Sequence, residues 1–148
     1  MTERYFLDTN VLVYLFDADA PTKQACVREY LIRHPAPGQL ILSTQVLQEF
    51  YVSVTRKLAT PLDPEEASKA VRTLATLVII QIDTPLILGA IKRSQTATLS
   101  FWDALIIDAA LAGGASCLYS EDLQDGQIIE GMEIVNPFKR GFRALSTR

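Results

Sequence analysis

Four acids in this chain stand where a carboxylate could do chemistry. Asp8 follows the short apolar run Tyr5-Phe6-Leu7. Glu49 lies one turn into a helical pattern, just ahead of the aromatic pair Phe50-Tyr51. Asp103 falls in the first turn of the otherwise apolar segment SFWDALII. Asp122 follows the triplet Cys117-Leu118-Tyr119, within YSEDLQDG. Each has a plain structural role as well. Asp8, Thr9 or Asn10 can cap the helix that starts beyond them. Glu49 can be a solvated helix residue, Asp103 can complement a helix dipole, and Asp122 can sit in a turn. A charge on a core-facing helix is costly unless paired or metal-bound, so Asp103, with Leu105 and Ile106 close behind, is the hardest to explain away. Carboxylates that meet without a nearby Lys or His repel one another unless a hard cation neutralises them. Oxygen-only ligands select Mg²⁺ or Mn²⁺ over zinc. Such sites serve phosphoryl transfer, in which the metal activates water and steadies the leaving oxygen.

These acids meet only if the elements deliver them to one edge. Strands are expected near residues 4–7, 40–42, 78–82, 116–119 and 134–135, each a short apolar run of the kind found in buried parallel sheets. Helices are expected near 11–16, 23–33, 45–58, from 64 onward, 84–94 and 101–112. Thr22, Ser43-Thr44, Asp63, Asp83 to Pro85 and Ser100 mark their starts, and Gly113-Gly114 the end of the last. Asp63-Pro64-Glu65-Glu66 is a strong start, with an Asp cap, Pro at the first position and Glu in the capping-box place. Strands alternate with helices from end to end. The fold class is therefore α/β, one domain over residues 1–148, with a central, mostly parallel sheet flanked by helices on both faces. In such a sheet, ligands bind outside the carboxyl ends of the strands. Following helices start at that same edge, so first-turn acids and strand-end acids converge there.

Asp8-Thr9-Asn10 after the first strand, Gln48-Glu49-Phe50, Trp102-Asp103-Ala104-Leu105 and Ser120-Glu121-Asp122-Leu123, in that order, resemble a PIN-domain ribonuclease. Within that family they are most similar to VapC-type toxins of bacterial toxin–antitoxin pairs. The resemblance covers nearly the whole chain. It implies a Mg²⁺-dependent endoribonuclease, with Mn²⁺ as a substitute, that leaves 5′-phosphate and 3′-hydroxyl ends. Asp8, Glu49, Asp103 and Asp122 match the family's acidic quartet, and Thr9 and Ser120 match hydroxyl positions that support it. Asp8 and Asp103 are then the direct metal ligands, and Glu49 and Asp122 act directly or through water. The resemblance further implies an RNA substrate, a cognate antitoxin protein that blocks the acidic groove, homodimerisation, and contact with DNA only through the antitoxin.

Other residues are placed less sharply. Asp108, five residues past Asp103, turns away from it on a helix and reads as structural, an ion-pair partner. Glu121 neighbours Asp122 and can substitute for it; Asp125 reads as a turn residue and Asp83 as a local cap. Arg56, Lys57, Lys92, Arg93 and the basic tail of Lys139, Arg140, Arg143 and Arg148 are the candidate RNA contacts, on charge and position alone. The tail stands out because no acid follows Glu133, whereas the whole chain carries a net charge of −3. That balance disfavours a nonspecific nucleic-acid binder.

Several classes are set aside. The one histidine, His34, lies in a Pro-rich loop, so a metal-free ribonuclease with two histidines as acid and base is excluded. There is no Cys/His spacing for zinc, and Cys26 and Cys117 read as small core residues without a disulfide. No apolar run approaches the ~20 residues of a membrane span. The opening MTERYFLD lacks the pattern of a secretory leader, so a cytoplasmic protein is expected. A haloacid-dehalogenase-like phosphatase needs a second Asp two residues after the first, where Asn10 stands. A response-regulator receiver needs an acidic pair there, and a dinucleotide-binding domain a Gly-rich turn after a strand. A PIN-like module that binds RNA or protein without catalysis remains the principal alternative.

Overall fold

The computed structural model describes residues 3–33 and 36–143. Six strands form one sheet: β1 (Tyr5–Leu7), β2 (Leu40–Ser43), β3 (Val78–Ile80), β4 (Cys117–Tyr119), β5 (Ile128–Ile129) and β6 (Met132–Val135). Their order is β3-β2-β1-β4-β6-β5. All pair in parallel except β5, which runs antiparallel to β6. Tyr5 of β1 aligns with Leu40 on one side and Cys117 on the other, and Phe6 with Ile41 and Leu118. Every residue of β1, β2 and β4 is buried. That is the behaviour of parallel strands covered on both faces, and it explains their unbroken apolar runs.

The helices are α1 (Thr9–Val13), α2 (Pro21–Ile32), α3 (Thr44–Arg56), α4 (Pro64–Leu74), α5 (Thr84–Thr96), α6 (Phe101–Ala112) and α7 (Pro137–Arg140), with a 3₁₀ turn over Tyr14–Phe16. From β1 the chain steps outward to β2 and β3, then returns across the sheet to β4 on the far side of β1. Right-handed crossovers put α1 to α4 on one face and α5 and α6 on the other. The packing agrees: α1 and α4 lie against α3, α5 lies against α6, and α6 crosses β2 and β3. The direction of winding reverses beside β1, so the crevice outside the carboxyl ends of β1 and β4 is the fold's natural ligand position.

Most helix starts follow their expected caps. Ser43, Asp63, Asp83 and Ser100 each accept a hydrogen bond from a backbone N–H three residues on. Helix α2 differs. It begins at Pro21, and Ala20, not Thr22, holds the cap position without a side-chain bond. Pro at the first position needs no donor, so the helix starts without help from Thr22. Strand β3 ends at Ile80 rather than residue 82, because the Ile82 N–H turns to the Thr44 hydroxyl (3.2 Å). The strand expected at 134–135 is the end of β6; its partner β5 and helix α7 were not anticipated. Strands β5 and β6 form a hairpin whose turn puts Glu130 (φ 50°) and Gly131 (φ 87°) in the left-handed region. A Glu there is uncommon, so the turn lacks the usual Asn-Gly or Asp-Gly signal. Helix α7 is a single turn capped by Asn136, whose side chain accepts from the Phe138 N–H. Cys117 is buried in β4 as expected, while Cys26 is only half-buried on α2; both are free thiols. His34 and Arg148 lie outside the described residues.

Gly113 ends α6 where that helix meets the sheet. A Cβ there would stand 2.5 Å from Ile41 Cδ1 and 3.1 Å from Ile80 Cδ1. Its φ of −78° is ordinary, so the demand is for space. Gly113→Ala should cost about 1–2 kcal/mol by overpacking. Thermal or urea unfolding of Gly113→Ala, with and without Ile41→Val, checks this. Removing the Ile41 Cδ1 should recover part of the loss, and a fully additive pair would contradict the stated contact.

Candidate active site

Asp8 is the first residue beyond β1. Its backbone is extended and its N–H continues the ladder to the Tyr119 carbonyl (2.9 Å). Its side chain therefore projects at the crevice between β1 and β4. One oxygen, Oδ1, accepts from the Thr9 N–H (2.7 Å) and caps α1; the other, Oδ2, accepts from Ser120 Oγ (2.8 Å). Capping and a functional role coincide in one carboxylate. Asp8 is 7% exposed. Burial is the main reason its carboxyl is pushed up to about 6; Ser120 and Thr9 oppose the shift, and the charges of Glu49 and Asp103 add to it.

Three elements bring the other acids to the same place. Glu49 comes from α3, where Thr9 Oγ1 donates to Oε1 (2.8 Å) and Gln45 Nε2 donates to Oε2 (3.1 Å). Asp103 sits in the first turn of α6, its N–H on the Ser100 cap (3.1 Å). Asp122 follows β4. Its Oδ2 accepts from Asn10 Nδ2 (2.9 Å), and its N–H donates to Ser120 Oγ (3.2 Å). Ser120 is fully buried and also accepts from the Leu123 N–H (3.3 Å), so one hydroxyl ties Asp8 to the loop that carries Asp122. Asp8, Thr9, Glu49, Asp103 and Asp122 all line one open cleft of about 730 Å³.

Two contributors escaped the sequence reading as site residues. Asn10 clamps the Asp122 loop, donating to its carboxylate while Oδ1 accepts from the Glu121 N–H (3.2 Å). Gln45, one turn before Glu49, donates to both Glu49 and the Trp102 carbonyl (3.2 Å). Its own amide oxygen is buried with no partner among the described residues. The amide thus keeps an orientation that serves those two acceptors at the expense of its own. Spacing alone signals Gln45, at i and i+4 with Glu49; nothing local signals the reach of Asn10 to residue 122.

Other expected residues are committed elsewhere. Glu121 does not line the cleft; its carboxylate holds an ion pair with Lys23 and accepts from the hydroxyl of the cleft residue Tyr14 at 2.5 Å. Burial opposes its ionisation, but those two partners outweigh it and hold the carboxyl below its ordinary value. Asp125 accepts from the Asn136 N–H (2.8 Å) and pairs with Arg140. Asp108 pairs with Arg93 (2.7 Å), which also holds Glu130 (2.6 Å). Arg140 and Arg143 both pair with Glu133. Arg93, Arg140 and Arg143 are therefore bound by carboxylates rather than presented to phosphate. Among the basic candidates in the described residues, Lys57 alone lines the cleft, against Asp8, Asp17, Glu49, Asp103 and Asp122.

The donor set fits a hard divalent cation in chemistry: oxygen only, one member buried, with neutral donors rather than cations between the acids. In this arrangement, however, no three His, Cys, Asp or Glu side chains among the described residues come close enough to enclose one ion. Thr9, Asn10, Ser120 and Gln45 hold the acids at the cleft wall, facing a common space.

An acid-lined crevice at the winding reversal of a small α/β domain is the class of site this fold carries. The PIN domain family model matches residues 5–124. The chain belongs to the PIN domain family. Solved structures of similar fold include a toxin–antitoxin complex from Klebsiella pneumoniae, 22% identical with a TM-score of 0.65, covering 90% of this chain and 97% of that one. A DNA-bound VapBC from Salmonella typhimurium is 20% identical with a TM-score of 0.61, covering 89% and 96%. The Mycobacterium tuberculosis toxin VapC20, described as cleaving the sarcin–ricin loop, is 18% identical with a TM-score of 0.59, covering 80% and 89%. No curated protein sequence matches the chain.

Asp8 gives a stability prediction. Its folded value near 6 lies above the ordinary 3.8, so the fold binds this proton more tightly than the unfolded chain does. Stability is lost as pH rises from about 4 to about 6 and is not regained above. In metal-free protein Asp8→Asn should therefore be the more stable by up to about 3 kcal/mol at pH 7 to 8. The advantage should shrink as pH falls toward 4.5. Thermal melts in EDTA across that range check it; a pH-independent difference would contradict the burial argument.

Proposed function

We propose that this chain is a divalent-metal-dependent endoribonuclease, with Mg²⁺ as its metal and Mn²⁺ as a substitute, and that it acts as the toxin of a toxin–antitoxin pair. The observation that carries this reading is a buried Asp8 at the winding reversal, with Glu49, Asp103 and Asp122 lining the same cleft. Asp8 and Asp103 would hold the metal directly, and Glu49 and Asp122 directly or through water. Bound there, the cation supplies a stronger nucleophile from water and neutralises charge on the scissile phosphate. The remaining work falls to the protein. Ser120 and the Thr9 N–H fix the direction of Asp8, Thr9 Oγ1 and Gln45 fix Glu49, and Asn10 fixes Asp122. Substrate and metal then meet carboxylates that are already oriented, which lowers the cost of assembling the reacting geometry.

The toxin reading draws on the PIN family and on similar folds found in a toxin–antitoxin complex and in VapBC. In this reading a cognate antitoxin covers the cleft with a basic or aromatic side chain, and DNA is reached only through that partner. Homodimerisation is supported by apolar side chains on α5, where Leu88 is 60% exposed beside Ile87 and Ile91. No helix among the described residues is long and apolar enough to cross a membrane, which accords with a cytoplasmic site of action. A noncatalytic RNA- or protein-binding PIN module is the reading to be beaten.

Purified, antitoxin-free protein incubated with total cellular RNA should give discrete fragments with Mg²⁺ or Mn²⁺ and none in EDTA. The fragments should carry 5′-phosphate and 3′-hydroxyl ends. Asp8→Asn and Asp103→Asn should each lose about 100-fold or more while keeping the native circular-dichroism spectrum. Thr9→Val, which frees Glu49 from one donor, should lose about 10–100-fold. Undiminished cleavage in EDTA, or by folded Asp103→Asn, would refute the assignment.

A further inference from the structure

Trp102 is the one tryptophan in the chain, and it is 61% exposed. Tryptophan is highly buried on average, so this degree of exposure sets Trp102 apart. It lines the acidic cleft and directly precedes Asp103. Its position is held from two sides. Phe101 stands edge-on to the indole, with ring centres 5.0 Å apart and planes 75° apart. The Trp102 carbonyl accepts from Gln45, the same amide that orients Glu49. The indole is thus set on the frame that positions the acids.

We infer that Trp102 is a stacking platform for a nucleobase of single-stranded RNA next to the phosphate held at the acidic cleft. The inference rests on the ribonuclease reading and adds to it the residue that grips the substrate. Two features favour a base over an apolar protein segment. Most of the residues that line the cleft together with the indole are polar or charged, Gln45, Gln48, Glu49 and Asp103 among them, with Val13, Val52, Leu58 and Ile106 as aliphatic members spread between them in the chain. A flat π-face in a polar setting is what a base seeks, whereas an apolar segment needs a contiguous apolar patch. The cleft also has little positive charge to grip a backbone. Lys57 is its one cation among the described residues, and it lies eight residues along α3 from Glu49, roughly 12 Å. With so few phosphate contacts, affinity has to come from the bases, and stacking supplies ~1–3 kcal/mol per base without regard to sequence.

The single tryptophan makes the test direct. A single-stranded RNA of about eight nucleotides, within the usual site sizes, is titrated into the protein with Ca²⁺ replacing Mg²⁺, and Trp102 emission is followed. A strand of equal length with abasic riboses is the control. The base-containing strand should quench the emission. Trp102→Ala should weaken its binding roughly 5- to 150-fold, and Trp102→Tyr should restore most of it. The abasic strand should leave the emission unchanged and bind parent and Trp102→Ala alike. Equal binding of both strands by parent and Trp102→Ala, with no change in emission, would overturn the inference and leave the indole to a protein partner. Metal-dependent cleavage of saturating RNA by Trp102→Ala separates the two readings. If it persists while the stacking signal is absent, only this inference fails; if the parent protein neither binds nor cuts RNA, the nuclease reading fails and takes this one with it.

Discussion

A buried carboxylate faced by other carboxylates, whose hydrogen-bond donors among the described residues are all neutral, is the constraint around which this molecule is arranged. Asp8 stands at the end of the central strand, where β1 is covered on both faces and solvent is nearly excluded. Its hydrogen bonds come from a hydroxyl, a backbone amide and, at 3.5 Å, the Asn10 side-chain amide, none of which cancels charge. The carboxyl is consequently pushed up to about 6, chiefly by burial. A fold selected for stability alone would place an amide or a hydroxyl there. Retaining an acid leaves a local deficit that a divalent cation can offset, the familiar trade between a stable scaffold and a working site.

The surrounding design follows from that deficit. Cations are kept back from the acids by pairing them elsewhere: Lys23 with Glu121, Arg93 with Asp108 and Glu130, Arg140 and Arg143 with Glu133. These pairs also do structural service. Lys23 and Tyr14 anchor the residue next to Asp122, and Arg93 ties α5 to α6 and to the β5–β6 turn. The Arg143 N–H reaches the buried Tyr119 hydroxyl (2.8 Å), and Phe142 stacks on Tyr30 at 3.9 Å, so the segment after α7 closes over the sheet beside β4. Orientation inside the cleft is left to Thr9, Asn10, Gln45 and Ser120, which can steer a carboxylate without neutralising it. Lys57, at the far end of α3, is the exception within the cleft lining.

Much of this was legible in the chain, and the limits are physical. Apolar runs and capping residues located β1 to β4 and the starts of α3 to α6, because buried parallel strands and capped helices are local patterns. The convergence of Asp8, Glu49, Asp103 and Asp122 followed from one topological rule about strand ends. What escaped was nonlocal or atypical. Glu130 at positive φ hid the β5–β6 turn, since its stability comes partly from Arg93 across the fold. Asn10 bonds to residues 121 and 122, a contact that no spacing in the sequence reveals. Whether Glu121 or Asp122 faces the cleft turned on Lys23 and Tyr14, both distant in sequence. The phosphate contacts read from charge were the weakest: Arg93, Arg140 and Arg143 look available in sequence and are engaged in space.

Asp8 is a buried carboxylate with no cationic partner among the described residues, and one titration tests whether a divalent cation is what it binds. Carbon-13 NMR of the aspartate carboxyl groups, assigned through Asp8→Asn, can follow Asp8 from pH 3 to 8 with and without Mg²⁺. Metal-free protein should titrate near 6, and saturating Mg²⁺ should move that midpoint below the ordinary aspartate range, because the cation binds only the carboxylate. A midpoint near 4 that Mg²⁺ leaves in place would mean that Asp8 is an ordinary helix cap, and the account of the site would fall with it.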